Sequence, residues 1–234
     1  MKKRIWELDA LRGLFLLGVI AVHFLFDISY LYGLINLQSP LFTFISQWGG
    51  TVFLILSGVC VTLGSHPVRR GFFVFSCGML VTLVTAIMYW TGLQGRTIVI
   101  YFGVLHCLGI CMLLWPVLKK LPLWGMAILG LALVLSGHLL TRVVSFPWLV
   151  PFGFTFPGFA SGDYFPLLPH LGYFLLGAVV GKTLYRNKQT RFPGVDPQNC
   201  VIRFLSGCGR YSLIIYLVHQ PLLTGLIWLW VKLF

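Results

Sequence analysis

The chain has 234 residues, of which 58% are hydrophobic and only 9% charged, with a mean hydropathy of +0.91. Soluble globular domains do not carry that balance, so the composition predicts a polytopic membrane protein. A net charge of +12 does not point to nucleic acid, because the basic residues sit in short loops between apolar segments, where they orient a membrane chain.

Segments long enough to cross a bilayer are expected near 10–31, 42–64, 71–91, 98–117, 122–141, 163–183 and 205–231. The expected fold is all-α: a polytopic transmembrane helical bundle of about seven spans, with eight as the alternative, forming a single domain over residues 1–234. The first segment reads as a membrane helix and not as a cleaved signal. It holds Arg12, His23 and Asp27, lacks a small-residue cleavage site, and is followed by similar segments.

That segment contains LDALRGLFLLGVIAVH, residues 8–23, with Arg12 and His23 eleven positions apart, roughly 16 Å along a helix. Asp9 and Asp27 extend the pattern. At about 100° per residue all four fall within an arc of roughly 60°. Ionisable groups inside a bilayer are costly, so a stripe of four needs a reason. Two readings stand, a polar seam that glues helices together or a reaction channel. The Arg12 guanidinium suits a phosphate-bearing donor or the nearby Asp9 carboxylate. His23 is the candidate base, with Asp27 one turn on to hold one ring nitrogen. The alternative has Asp27 capping a neighbouring helix or facing the outer interface.

The positive-inside rule places the N-terminus in the cytoplasm. The inner side then holds Lys2, Lys3, Arg4, Arg69, Arg70, Lys119, Lys120, Lys182, Arg186, Lys188, Arg191, Arg203 and Arg210; the outer side holds Arg96, Arg142 and Lys232. The connection SFPWLVPFGFTFPGFASG is apolar, yet Pro147, Pro151 and Pro157 break it. It is expected to be a re-entrant or interfacial loop, not one regular helix. Gly177 and Gly181 form a GxxxG pair, read as close helix packing, with a homodimer contact as the alternative. The six cysteines include no CxxC pair and read as buried or cytoplasmic thiols, not a disulfide framework.

His106 in the fourth span and His219 in the seventh, just before Pro221, are expected at about the depth of His23. Each alone fits a satisfied packing residue; together they suggest a polar cavity at mid-membrane. A metal site built from them lacks any HExxH or close ligand pair, so no metal is expected. On the outer side Asp163, Tyr164 and His170 open the sixth span beside Trp148, Phe152, Phe154, Phe156 and Phe159. Carboxylate and aromatic rings suit a sugar, while an aromatic interfacial belt explains the rings without any ligand.

Several stretches taken in order resemble a known family. LDALRG with the Arg12-to-His23 spacing resembles the signature of the integral-membrane acyltransferase-3 superfamily. FLILSG around Ser57, YFGVLHCLGI around His106, DYFPLLPHLGYFLLG from Asp163 and GRYSLIIYLVHQP ending at Pro221 resemble its heparan-α-glucosaminide N-acetyltransferase-like branch. The resemblance covers nearly the whole chain. It implies transfer of an acetyl (acyl) group from cytoplasmic acetyl-CoA to a hydroxyl or amine of an extracytoplasmic carbohydrate. By matching positions, Arg12 would help hold the donor and His23 would serve as catalytic base. The reading of the residues themselves adds Asp9 and Arg210 at the donor, Asp27 beside the base, and His106, Asp163, Tyr164, His170 and His219 lining the substrate cavity. The chain is shorter than the lysosomal relatives, with fewer spans and no preceding lumenal region, so the heparan substrate is not carried over.

The expected protein is therefore an O- or N-acetyltransferase of the bacterial cytoplasmic (inner) membrane. Its partners would be membrane lipid and an external glycan or amino-sugar acceptor. The rival reading is a proton-coupled small-solute transporter using the same ionisable stripe; the odd span number and absence of a repeated half count against it. A seven-helix receptor or retinal protein fits less well, because charge bias puts the N-terminus inside and no mid-helix lysine lies near the chain end.

Overall fold

The computed structural model describes residues 4–31, 33, 39–140 and 143–233; Lys2, Lys3 and Arg142 of the charge argument lie outside these. Among the described residues the fold is all-helical, with isolated bridges at Phe102–Tyr164 and Val143–Thr155 and no strand. The helices are α1 (Trp6–Phe26), α2 (Pro40–Leu63), α3 (Pro67–Trp90), α4 (Val104–Leu118), α5 (Leu123–Leu139), α6 (Leu167–Leu184), α7 (Cys200–Arg210) and α8 (Ser212–Leu233). Proline marks the starts of α2, α3, α5 and α6, at Pro40, Pro67, Pro122 and Pro166. A fixed φ and a missing N–H cost nothing there, where the amide has no helical partner.

Five helical segments are long and apolar enough to cross a membrane: Trp6–Ser29, Phe42–Leu63, Pro67–Trp90, Leu167–Leu184 and Ser212–Leu233. α4 and α5 are shorter apolar helices of 15 and 17 residues, about 22 and 26 Å long against a hydrocarbon core of about 30 Å.

The structure moves three expected boundaries. The stretch 205–231 is two helices, because Asn199 caps α7 by accepting the Val201 amide at 3.0 Å and the winding breaks at Tyr211. α7 is amphipathic, burying Ser206 and Gly209 while Val201, Arg203, Phe204 and Arg210 are exposed. The sixth span starts at Leu167, not 163, and Leu168 is still extended (φ −98°, ψ 120°). Asp163 and Tyr164 therefore precede the helix. The fourth starts at Val104, after a 3₁₀ turn at Arg96–Ile98. The 145–162 connection holds a 3₁₀ turn at Pro147–Phe152 and no α-helix.

The described chain divides into two compact units, Met1–Phe53 with Asn187–Phe234, and Leu54–Arg186. In the first unit α1 and α7 cross backbone to backbone. A Cβ on Gly13 would strike the Leu205 carbonyl, and one on Gly209 would strike the Asp9 carbonyl. Rising positions on α1 thus meet falling positions on α7, so the two run antiparallel. After Tyr211 the chain reverses, and α8 runs parallel to α1, with His219 beside His23 and Gln220 beside Asp27. The loop before α7 is held by Glu7, which is 3% exposed and accepts from Thr190 Oγ1 at 2.9 Å and the Arg191 amide at 2.8 Å. At its C-terminal end α1 continues into a π-wound turn, Asp27–Leu31.

The second unit repeats the same packing device. Gly58 on α2 abuts the Phe174 carbonyl on α6, and Gly177 abuts the Ile55 carbonyl in return. Gly71 and Gly109 join α3 to α4, and Gly130 and Gly172 join α5 to α6. Gly177 and Gly181 thus seat α6 on α2 within one chain.

Gly209→Leu should abolish the α1–α7 crossing, costing more than the roughly 1–3 kcal/mol of ordinary overpacking because the obstructing atoms are backbone. Size-exclusion profiles of detergent-solubilised protein should show loss of the monodisperse peak. Gly207→Ala, where an added Cβ meets nothing within 4 Å, should leave the profile unchanged.

Candidate functional site

The N-terminal turns of α1 hold an ionic cluster. Asp9 is buried, with Arg12 Nη1 3.5 Å from one carboxylate oxygen and Arg4 Nε 3.5 Å from the other. The i, i+3 spacing places Asp9 and Arg12 on one helix face. The Arg12 side chain is 15% exposed and Arg4 is 66% exposed. Arg12 is thus already charge-paired, and Arg4 is the more accessible guanidinium. Arg210, expected with them at the donor, is exposed at the last residue of α7 in the same unit.

Further along α1 a second polar group forms between α1 and α8. The rings of His23 and His219 lie 5.1 Å apart. His219 Nδ1 meets the Tyr216 carbonyl. Only a protonated nitrogen can donate to a carbonyl, so Nε2 is left as a lone-pair acceptor. Nε2 is buried without a hydrogen-bond partner among the described residues. Pro221 lies inside α8, two residues after His219. It removes the amide that would bond to the Leu217 carbonyl and so loosens the helix at this point.

The expected His23–Asp27 pair does not form among the described residues. Asp27 is 1% exposed and both its oxygens accept from the Gln220 side-chain amide, at 3.0 and 2.9 Å, while Thr224 Oγ1 donates to Oδ2 at 3.3 Å. With its amide nitrogen turned to the carboxylate, Gln220 leaves Oε1 buried and without a hydrogen-bond partner among the described residues. Gln220 and Thr224 were not singled out from sequence, although two polar residues four apart in an apolar helix are the same signal that marked Asp9, Arg12, His23 and Asp27. Glu7 was missed as well, because its partners lie more than 180 positions away.

In the second unit, the histidine read as a cavity residue is fully satisfied. His106 Nδ1 accepts the Gly103 amide at 3.2 Å, and Nε2 faces Thr82 Oγ1 at 3.3 Å, which in turn donates to the Ile100 carbonyl at 2.6 Å. Phe102 stacks on the ring and Phe75 meets it edge-on. His106 at 2% exposure caps α4 and leaves no ring nitrogen for a ligand. The Val104 amide donates to Asp163 Oδ2 at 2.9 Å, and a Cβ on Gly103 would strike that same oxygen. Tyr164 donates to the Val150 carbonyl at 2.7 Å, and its ring packs 4.9 Å from Phe159. His170, in the first turn of α6, meets the Pro166 carbonyl at 2.7 Å and packs on Phe165. Trp148 is 80% exposed.

All six cysteines are free; Cys107 and Cys111 bring their Sγ atoms to 4.0 Å one turn apart on α4. Among the described residues no three His, Cys, Asp or Glu side chains gather as a metal site.

Asp163 lies outside the membrane-spanning helices, and burial pushes its carboxyl up to about 6 from an ordinary 3.8, against the pull of the Val104 amide. A raised carboxyl pKa means the folded chain holds its proton more tightly than the unfolded chain. The contribution to stability is full below about pH 4 and is lost as pH rises through about 6. The thermal midpoint of Asp163→Asn in detergent should therefore fall less than that of the parent between pH 4 and pH 7. Parallel curves for the two proteins would contradict this.

A protein-family description, heparan-alpha-glucosaminide N-acetyltransferase, catalytic, matches residues 4–221. No curated protein and no solved structure matches the chain. The matched range takes in the Asp9–Arg12 cluster, both histidines of the α1–α8 pair and the capped α4 segment. On that extent of match, the chain belongs to the heparan-α-glucosaminide N-acetyltransferase catalytic family and is an integral membrane protein of acetyltransferase type.

Proposed function

We propose that this protein moves an acetyl group from cytoplasmic acetyl-CoA to a hydroxyl or amine of a carbohydrate on the far side of a bacterial cytoplasmic membrane. The observation that carries this reading is the His23–His219 pair, one imidazole beside another whose Nε2 is buried with no partner among the described residues. Acyl transfer to a neutral nucleophile needs a group that takes a proton as the new bond forms, and imidazole does this near neutral pH. His23 is that base. It takes the proton of the attacking N–H or O–H, the new C–N or C–O bond forms, the thioester C–S bond breaks, and the proton passes to the departing thiolate.

Donor binding falls to the basic N-terminal end of α1 and the elements beside it in the same unit. Arg4 is largely exposed, Arg203 and Arg210 are exposed on α7, and Arg191 lies in the loop that Glu7 holds. Guanidinium groups pair with the phosphates of a nucleotide donor. Arg12, neutralised by Asp9, fixes the geometry of that end and lies roughly 16 Å from His23 along the helix, a span suited to a pantetheine arm. The positive-inside bias puts this end in the cytoplasm.

Purified protein incubated with acetyl-CoA and a panel of amino sugars should release thiol. His23→Ala should lower that rate by about 10²- to 10⁴-fold, the usual worth of a general base, with membrane abundance unchanged. A rate within a few-fold of the parent would remove His23 from the role.

A further inference from the structure

The α1–α8 cluster has an imbalance that its own residues do not resolve. Asp27, Gln220 and Thr224 satisfy one another on the carboxylate side. The two atoms left over, His219 Nε2 and Gln220 Oε1, are both buried, and both are acceptors. Their orientations are set from behind. The Tyr216 carbonyl fixes the proton of His219 on Nδ1, and the Asp27 carboxylate fixes the amide nitrogen of Gln220 toward itself. Consecutive on α8, the two residues both turn toward α1, where His23 and Asp27 stand one turn apart. Buried polar atoms without partners are rare, and two adjacent acceptors call for a ligand rich in donor hydrogens.

Resting on the acetyl-transfer reading, we infer that His219 Nε2 and Gln220 Oε1 hold the nucleophilic group of the acetyl acceptor, and that this group is a primary amine or a hydroxyl and not an anion. Asp27 is then a positioning residue. It does not touch the acceptor; it holds Gln220 so that Oε1, and not the amide nitrogen, faces the acceptor. His23, beside His219, is left to take the proton that the reaction releases. A phosphate or carboxylate would face two lone pairs and a buried carboxylate, and is excluded by charge.

Glucosamine and methyl glucoside serve as amine and hydroxyl probes, and acetate as the anion, with the full chain in lipid nanodiscs. In ¹⁵N-histidine magnetic resonance, at least one of the first two should shift the unprotonated His219 nitrogen saturably, and acetate should not. Asp27→Asn supplies an amide that can bond to Gln220 Oε1 and close that acceptor. It should raise the KM of the effective probe about tenfold while the KM for acetyl-CoA stays as it was. Thr224→Val should give a smaller rise in the same direction, and Thr224→Ser should restore the parent value. Transfer with unaltered acceptor KM in Asp27→Asn and Thr224→Val would overturn this inference and leave the acetyl-transfer reading standing. A saturable shift without transfer would overturn that reading and leave the binding assignment. No shift with either donor probe, an ordered water being the only occupant, would overturn the assignment outright.

Discussion

The arrangement depends on helices meeting at their backbones. Inside a bilayer, lipid tails are as apolar as leucine, so helices gain little from hiding apolar side chains from one another. What remains is close contact, and the closest contact is reached where neither helix carries a Cβ. Gly13 and Gly209 achieve this between α1 and α7; Gly58 with Gly177, Gly71 with Gly109, and Gly130 with Gly172 do the same in the second unit. The α1–α7 crossing has a chemical result. It fixes where the chain reverses at Tyr211, hence the register of α8, hence the meeting of His219 with His23 and of Gln220 with Asp27.

His106 and His219 show how little residue type decides. Both are buried histidines on apolar helices. The first has a backbone amide on one nitrogen and a threonine hydroxyl on the other, and its work is to cap α4. The second has one nitrogen tied to a carbonyl and the other open. Buried polar atoms reveal their role through what they lack, because a satisfied network rigidifies a fold while an unsatisfied one costs free energy until something fills it.

Much of this was visible in the order of residues. Composition established the membrane class, and helical periodicity found the stripe from Asp9 to Asp27. The Asp9–Arg12 contact followed from spacing alone, since i, i+3 neighbours share a face. The partners of Asp27 did not, because a contact across helices depends on register, which lies outside any single helix. The facing glycines were invisible for the same reason; only Gly177 and Gly181, repeated on one helix, left a local mark. Hydropathy joined α7 to α8 and ran the sixth span back to Asp163, because averaging over a window hides a capped break such as Asn199 or an extended entry such as Pro166–Leu168.

The π-wound turn at the C-terminal end of α1 bears on how such chains diverge. A π turn holds one residue more than an α turn, and such widenings are commonly read as single insertions retained at working sites. Deleting one position within Asp27–Leu31 would restore α winding and rotate everything downstream by about 100°, while leaving His23 undisturbed. A lineage could thus redirect the exit of this helix through one indel instead of a series of point changes.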